Sequence, residues 1–214
     1  MITITTFEFN PFQVNTYVLH DDTGECIIVD PGCCDDREEM QLESFINEHG
    51  LKPVRLVNTH CHIDHVLGNN FIVSCFGLKP EIHPAGLPFL RGAREHARMY
   101  GFHIDDPVLP DTYLNQNDPV TFGHSSLRVL YTPGHADGSI CLHCAAQKFV
   151  LTGDVLFRES IGRTDFPTGD LDVLLSGIRE KLFMLDDDTV VYPGHMEPTT
   201  LGHEKKYNPF FGMR

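Results

Sequence analysis

Residues 59–65, Thr-His-Cys-His-Ile-Asp-His, place three histidines and one aspartate within six residues, directly after Val54–Val57, a run that reads as a strand. Few chains can carry this density of imidazole and carboxylate without using it. On a continuing strand His60 and His62 share a face and can reach one ion, whereas the adjacent Asp64 and His65 point apart. A loop at the strand's end must therefore fan the four side chains out. A tetrahedral zinc takes four ligands and a working one keeps a position for water, so two ions side by side suit the fan better than one.

Three later segments repeat one design, a strand running into a glycine turn that presents a metal-binding side chain. They are Thr132-Pro133-Gly134-His135, Thr152-Gly153-Asp154 and Tyr192-Pro193-Gly194-His195. Each alone is commonplace, since such turns often end in a polar residue. With residues 59–65 they give seven nitrogen and oxygen ligands at strand ends, a set suited to two adjacent ions and a bridging carboxylate. Zinc is the first expectation, and iron or manganese suits the same donors.

The rest of the chain reads as two similar halves. Residues 2–9, 15–20 and 25–30 alternate as short strands, 35–49 as a helix closed by Gly50, and 66–76 and 87–100 as further helices. Leu90, Ala93, Ala97 and Tyr100 form the expected core stripe of the last. Strands return at 119–122, 127–132, 139–143 and 149–151, then a helix at 171–183 and a strand at 189–192. A meander followed by helices, occurring twice, predicts two packed sheets with helices outside. At 214 residues and without a long linker, a single domain over residues 1–214 is expected.

The 30 acidic against 16 basic residues give a net charge of -14, which opposes a nucleic-acid partner. No apolar stretch approaches bilayer length, and the alternating start lacks the form of a signal peptide, so the expected address is the cytoplasm. Seven cysteines without a small-domain spacing imply reduced thiols. Cys141 and Cys144, three apart on a strand, should face opposite sides as small hydrophobes. Cys33 and Cys34 follow a turn at Asp30-Pro31-Gly32, and sequence leaves their reactivity open.

The order of motifs, H-x-H-x-D-H followed by Gly-His, Gly-Asp and Gly-His, resembles the metallo-β-lactamase superfamily across most of the chain. That resemblance implies a four-layer αββα sandwich of two mixed β-sheets with the site at one edge. It also implies that His60, His62 and His135 hold a first metal, Asp64, His65 and His195 a second, with Asp154 bridging. The stretches GDVLFRESIGRTDFPTGD and YPGHMEPTTLGHEKKYNPF are further similar to short glyoxalase II-type thioester hydrolases. Those enzymes split S-2-hydroxyacylglutathione into glutathione and a hydroxy acid, so a small-molecule thioester is the implied substrate. Longer members add a helical glutathione-binding domain, which this chain is expected to lack. Arg163 matches a lysine of the longer enzymes, and Asp165 stands where they have a tyrosine.

Read from its own chemistry, Arg163 can grip a substrate carboxylate or pair with Asp165 or Asp170. Lys205 and Lys206 can hold an anionic substrate tail or remain solvated. Asp64 is expected to act in catalysis by aiming the attacking water. Two other classes compete: a persulfide dioxygenase using one iron on two histidines and an aspartate, which shares THCHIDH and GRTDF, and a non-catalytic metal-binding or electron-transfer module.

Overall fold

A computed structural model describes residues 1–211. The first half runs β1 (Thr3–Phe9), β2 (Val14–His20), β3 (Glu25–Val29), α1 (Asp36–Glu48), β4 (Lys52–Val57), α2 (Ile63–Val66), α3 (Asn69–Phe76), β5 (Pro80–Glu81) and α4 (Leu87–Met99). The second runs β6 (Pro119–Phe122), β7 (Ser125–Tyr131), β8 (Ile140–Cys144), β9 (Phe149–Gly153), β10 (Leu156–Phe157), β11 (Ser160–Ile161), α5 (Leu171–Gly177), β12 (Val190–Pro193), β13 (Thr199–Thr200) and α6 (Leu201–Tyr207). After α5 the chain widens into a turn with an i→i+5 bond from Phe183 N to Ile178 O.

Two mixed sheets result, ordered β1-β2-β3-β4-β5 and β13-β12-β9-β8-β7-β6, with β10 and β11 as a separate hairpin. Strand alternation sorts the apolar side chains into layers. Tyr17, Leu19, Ile27, Val29 and Val57 of the first sheet meet Val129, Ile140, Leu142, Phe149 and Leu151 of the second. On the outer face of the first sheet Val18, Cys26, Ile28 and Leu56 pack under Leu42 and Ile46 of α1 and Ile72 of α3. On the outer face of the second, Leu130, Cys141, Val150 and Val191 pack under Leu174, Ile178, Leu182 and Leu201. This is the αββα sandwich expected from the sequence. Each such fully buried aliphatic side chain contributes on the order of 1.5–3 kcal/mol.

Local signals fix several boundaries. The Asp35 carboxylate accepts from Glu38 N at 2.9 Å and starts α1, with acidic residues in the first turn matching the helix dipole. The expected helix over 66–76 is α3 over 69–76 alone, with Val66 ending the separate α2, because Gly68 N donates to Pro31 O at 2.8 Å instead of continuing the helix. A Cβ there would sit 2.3 Å from Cys33 Sγ. Tyr100 also departs from expectation: Leu90, Ala93 and Ala97 are buried, but Tyr100 follows the last turn of α4, is half exposed and packs edge-on against Phe12. Cys141 and Cys144 do fall on opposite faces of β8, and all seven cysteines are free. The Cys33 thiol is inert by burial, which raises its pKa, and Cys34 is pushed up to about 12 by burial and the nearby Glu38 carboxylate. Among the described residues no helix is long and apolar enough to cross a membrane.

Candidate metal centre

β7, β9 and β12 run in the same direction, β9 and β12 as direct parallel neighbours and β7 through the antiparallel β8. Their C-terminal ends therefore open on one edge of the sandwich, where His135, Asp154 and His195 follow them. β4 delivers His60 and His62 to the same edge from the other sheet. Asp64 and His65 are not on a loop, as the sequence suggests, but on the single turn of α2. The helical turn is what lets two adjacent residues serve one place: Asp64 Oδ2 and His65 Nε2 lie 3.6 Å apart.

Seven side chains converge. Ligand atoms of His60, His62 and His135 lie within 4.8 Å of one another, as do those of Asp64, His65 and His195, and those of His60, His65 and Asp154. His62 Nδ1 is 2.9 Å from His135 Nε2, and Asp64 Oδ2 is 3.1 Å from His195 Nε2. Asp154 lies between the groups, its Oδ1 at 3.3 Å from His65 Nε2 and its Oδ2 at 3.6 Å from both His135 Nε2 and His195 Nε2. His60 Nε2, His65 Nε2 and Asp154 Oδ1 are buried without a hydrogen-bond partner. Orphaned polar atoms of this kind are costly unless something else binds them, and their grouping fits a pair of cations.

The electrostatics agree. Burial lowers the pKa values of His60 and His135 and brings His62 down to about 4, leaving neutral imidazoles with free lone pairs at pH 7. Burial works the same way on His65, but the carboxylates of Asp64, Asp154 and Asp30 overcome it and raise that histidine well above its usual value. His195 is likewise raised against burial, by its contact with Asp64 and the charge of Asp154. Burial would push the Asp154 carboxyl up, yet His65 and then His195 and His135 hold it far below the usual range. The carboxylate field that raises the His65 pKa is the same field that attracts a divalent ion.

A supporting shell that the sequence did not single out aims the rings. Asp30, buried at the end of β3, accepts from Thr59 N at 2.7 Å, from Thr59 Oγ1 at 2.5 Å and from His65 Nδ1 at 3.0 Å. His135 Nδ1 donates to Arg163 O at 2.8 Å and His195 Nδ1 to Gln13 O at 3.1 Å, turning each Nε2 inward. Asp30 appeared in the sequence only as part of a turn; an acidic residue ending a buried strand was the available signal. Tyr17 Oη and Asn15 Nδ2 both donate to Pro193 O, at 2.6 and 3.0 Å, tying the His195 turn to the first sheet. Gly194 is required by close approach, since a Cβ there would lie 2.2 Å from Asp154 Oδ1 and 2.8 Å from His65 Cε1.

The three candidate substrate residues are placed differently. Arg163 is at the rim, exposed, with its guanidinium paired to both carboxylate oxygens of Asp165 at 2.9 and 2.8 Å and stacked 4.1 Å over Phe166. Phe166 and Phe89 flank His62 edge-on at 5.7 and 5.4 Å. Lys205 is not brought to the cluster: it reaches Leu185 O at 3.2 Å and Asp187 at 2.5 Å, before β12 begins, whereas His195 follows its end. Lys206 lies against the Tyr207 ring. His203, close in sequence to the ligand-bearing tail, pairs with Glu159 at 2.9 Å.

Comparison with known proteins agrees with this geometry. The chain is 37% identical over 211 residues to the hydroxyacylglutathione hydrolase GloC of Haemophilus influenzae, covering 95% of each. It superposes on the BLEG-1 B3 metallo-beta-lactamase with a TM-score of 0.86 and 31% identity, covering 98% of this chain and 99% of that one. It superposes equally on TTHA1623, solved in a di-iron-bound form, with a TM-score of 0.85, 35% identity and coverage of 97% and 99%. Together with the paired ligand groups these likenesses support a metal-dependent hydrolase. The family model described as metallo-beta-lactamase superfamily matches residues 9–195, and the chain belongs to that superfamily.

Proposed function

We propose that the protein is a binuclear metallohydrolase of thioesters, of the hydroxyacylglutathione hydrolase type, with zinc as the expected metal. The observation that carries this reading is the double ligand set joined through Asp154, with three buried ligand atoms that have no hydrogen-bond partner. The likeness to GloC supports the thioester class. His60, His62 and His135 would hold one ion, Asp64, His65 and His195 the other, with Asp154 between them. Divalent ions in such a pair supply water that ionises near neutral pH and a positive field for an acyl carbonyl.

The chain's own residues do the rest. Asp64 turns Oδ2 toward His65 and His195, so its other oxygen can accept a hydrogen bond from the attacking water and aim it. Hydrolysis then forms a C–O bond at the acyl carbon and breaks the C–S bond, the thiolate leaving with the electron pair. A thiol has a pKa of about 8.5, so the leaving group needs no dedicated acid. The rings of Phe89 and Phe166 beside His62 give the acyl group an apolar wall.

The test is metal analysis combined with turnover of S-lactoylglutathione and of a simple thioester lacking the γ-glutamyl group. Close to two ions per chain and thiol release from at least one substrate are expected. Fully loaded protein that hydrolyses neither thioester sinks the proposal. The grouping of His60, His65 and Asp154, two histidines and one carboxylate, favours a second reading as a mononuclear-iron persulfide dioxygenase. That reading leaves His62, Asp64, His135 and His195 idle, and oxygen uptake with glutathione persulfide at one iron per chain distinguishes it.

A further inference from the structure

The turn between β1 and β2, Asn10-Pro11-Phe12-Gln13, is built in a way that a plain hairpin does not need. Asn10 and Gln13 both have left-handed backbones, with φ of 54° and 58°. A non-glycine residue held there is strained by roughly 1 kcal/mol or more unless its surroundings compensate. Asn10 is buried and fully engaged. Its Oδ1 accepts from Phe12 N at 2.9 Å, its Nδ2 donates to Gly32 O at 2.8 Å and Asp64 O at 3.1 Å, and its own N donates to Glu38 Oε1 at 3.0 Å. Glu38, buried on α1, uses its other oxygen to accept from Cys34 N at 3.0 Å.

Gln13 N donates back to Asn10 O at 3.0 Å, which sets the Gln13 carbonyl in the place where it accepts from His195 Nδ1. One turn thus grips Asp64 by its backbone and His195 by its ring, two of the three members of the second ligand group. The first group is supported from elsewhere, His135 through Arg163 O and His60 through a 3.3 Å contact of Nδ1 with Thr59 Oγ1.

We propose that Asn10 is a positioning residue for the second metal ion, which it serves by fixing the Asp64 backbone and, through Gln13 O, the tautomer and direction of His195. Glu38 anchors that turn to α1. The proposal rests on the two-ion reading above. Partners that orient ligands in this way change metal affinity by about 10–100-fold when removed.

The experiment is a metal titration of metal-stripped protein against a chromophoric chelator, with cobalt(II) and zinc(II), comparing wild type, Asn10→Gly, Asn10→Asp and His195→Ala. Glycine removes the amide while relieving the left-handed backbone, so a loss of affinity cannot come from strain. The binding step that His195→Ala abolishes is expected to shift by about 10–100-fold in Asn10→Gly, with the other step within about 2-fold. Asn10→Asp should not rescue it, because a carboxylate cannot donate to Gly32 O and Asp64 O. In a His195→Ala background, which keeps only the first step, Asn10→Gly should change nothing further. Equal weakening of both steps, or no change in either, overturns the positioning role. If wild type takes up only one ion at saturation, the two-ion reading fails and this proposal with it. Should Asn10→Gly not fold, Glu38→Ala, which leaves Asn10 N unpaired, must produce the same selective loss or the proposal is wrong.

Discussion

Asp154 faces both ligand groups, Oδ1 toward His65 and Oδ2 toward both His135 and His195. Removing it should therefore act differently from removing a ligand of one group. Asp154→Ala is expected to weaken both binding steps, each by 10-fold or more, and His195→Ala to abolish only one. Metal stoichiometry on the two purified variants checks this, and the same single-step loss in both would remove Asp154 from its bridging place. Asp30 shows what a residue-by-residue reading misses. Its side chain belongs to neither ligand group, yet it receives three hydrogen bonds from the loop and the ring that it orients. Nothing in the letters Asp-Pro-Gly separates that role from an ordinary turn, because the partner ring lies 35 positions later.

At the scale of elements, the two sheets are also pinned at the end opposite the metal centre. Asp21, in the turn after β2, accepts from Thr23 N and Oγ1 at 3.0 and 2.6 Å and, across the sandwich, from His124 N and Ser125 Oγ at 2.8 and 2.7 Å. Burial would raise its pKa, but these hydrogen bonds more than offset that and hold the carboxyl well below the usual carboxylate range. A depressed folded pKa contributes stability that is fully present above the unfolded value of about 3.9 and is lost as pH falls toward the folded one. Asp21→Asn is thus expected to cost about 1–3 kcal/mol at pH 7 and to flatten the fall in stability below pH 4. Urea unfolding of both forms at pH 7 and pH 3 measures it; an unchanged difference between the two pH values would count against the assignment. The elements themselves were largely legible: hydrophobic alternation located β1 to β4, β6 to β9 and β12 within one or two residues. What escaped was β5, the β10–β11 hairpin, β13 and α6, which are short and owe their form to neighbours. The break between α2 and α3 escaped for a related reason, since Gly68 N donates to Pro31 O, a partner that periodicity does not register.

Across the whole molecule, the cluster gathers three carboxylates, Asp30, Asp64 and Asp154, and five histidines at one edge, several of them fully buried. Cations that bind this folded arrangement and not the unfolded chain add RT ln(1 + [L]/Kd) to its stability, about 4 kcal/mol when the free ion is a thousandfold above Kd. Chelation followed by thermal unfolding should therefore lower Tm, and zinc should restore it in a concentration-dependent way. A melting temperature indifferent to chelator would mean that the cluster does not hold ions in solution. The convergence of the seven candidate ligand side chains was legible in sequence because His60, His62, His135, Asp154 and His195 lie just past strands in turns of a recurring pattern, with Asp64 and His65 close behind His62. The rim was not, because whether Arg163 meets a ligand or its neighbour Asp165 is a choice between two contacts that sequence leaves equal.

The division of the ligands between the halves of the chain sets an order of events during synthesis. His60, His62, Asp64 and His65 are made early, but the first group is incomplete until His135 is available and the second until His195 arrives near the far end. The early histidines alone offer a loose, partial site, and the closing residues reach it only once the second sheet has formed and docked on the first. Ion capture would then come late in the life of a new chain, after the two sheets have met in register, and would add nothing to chains in which they have not.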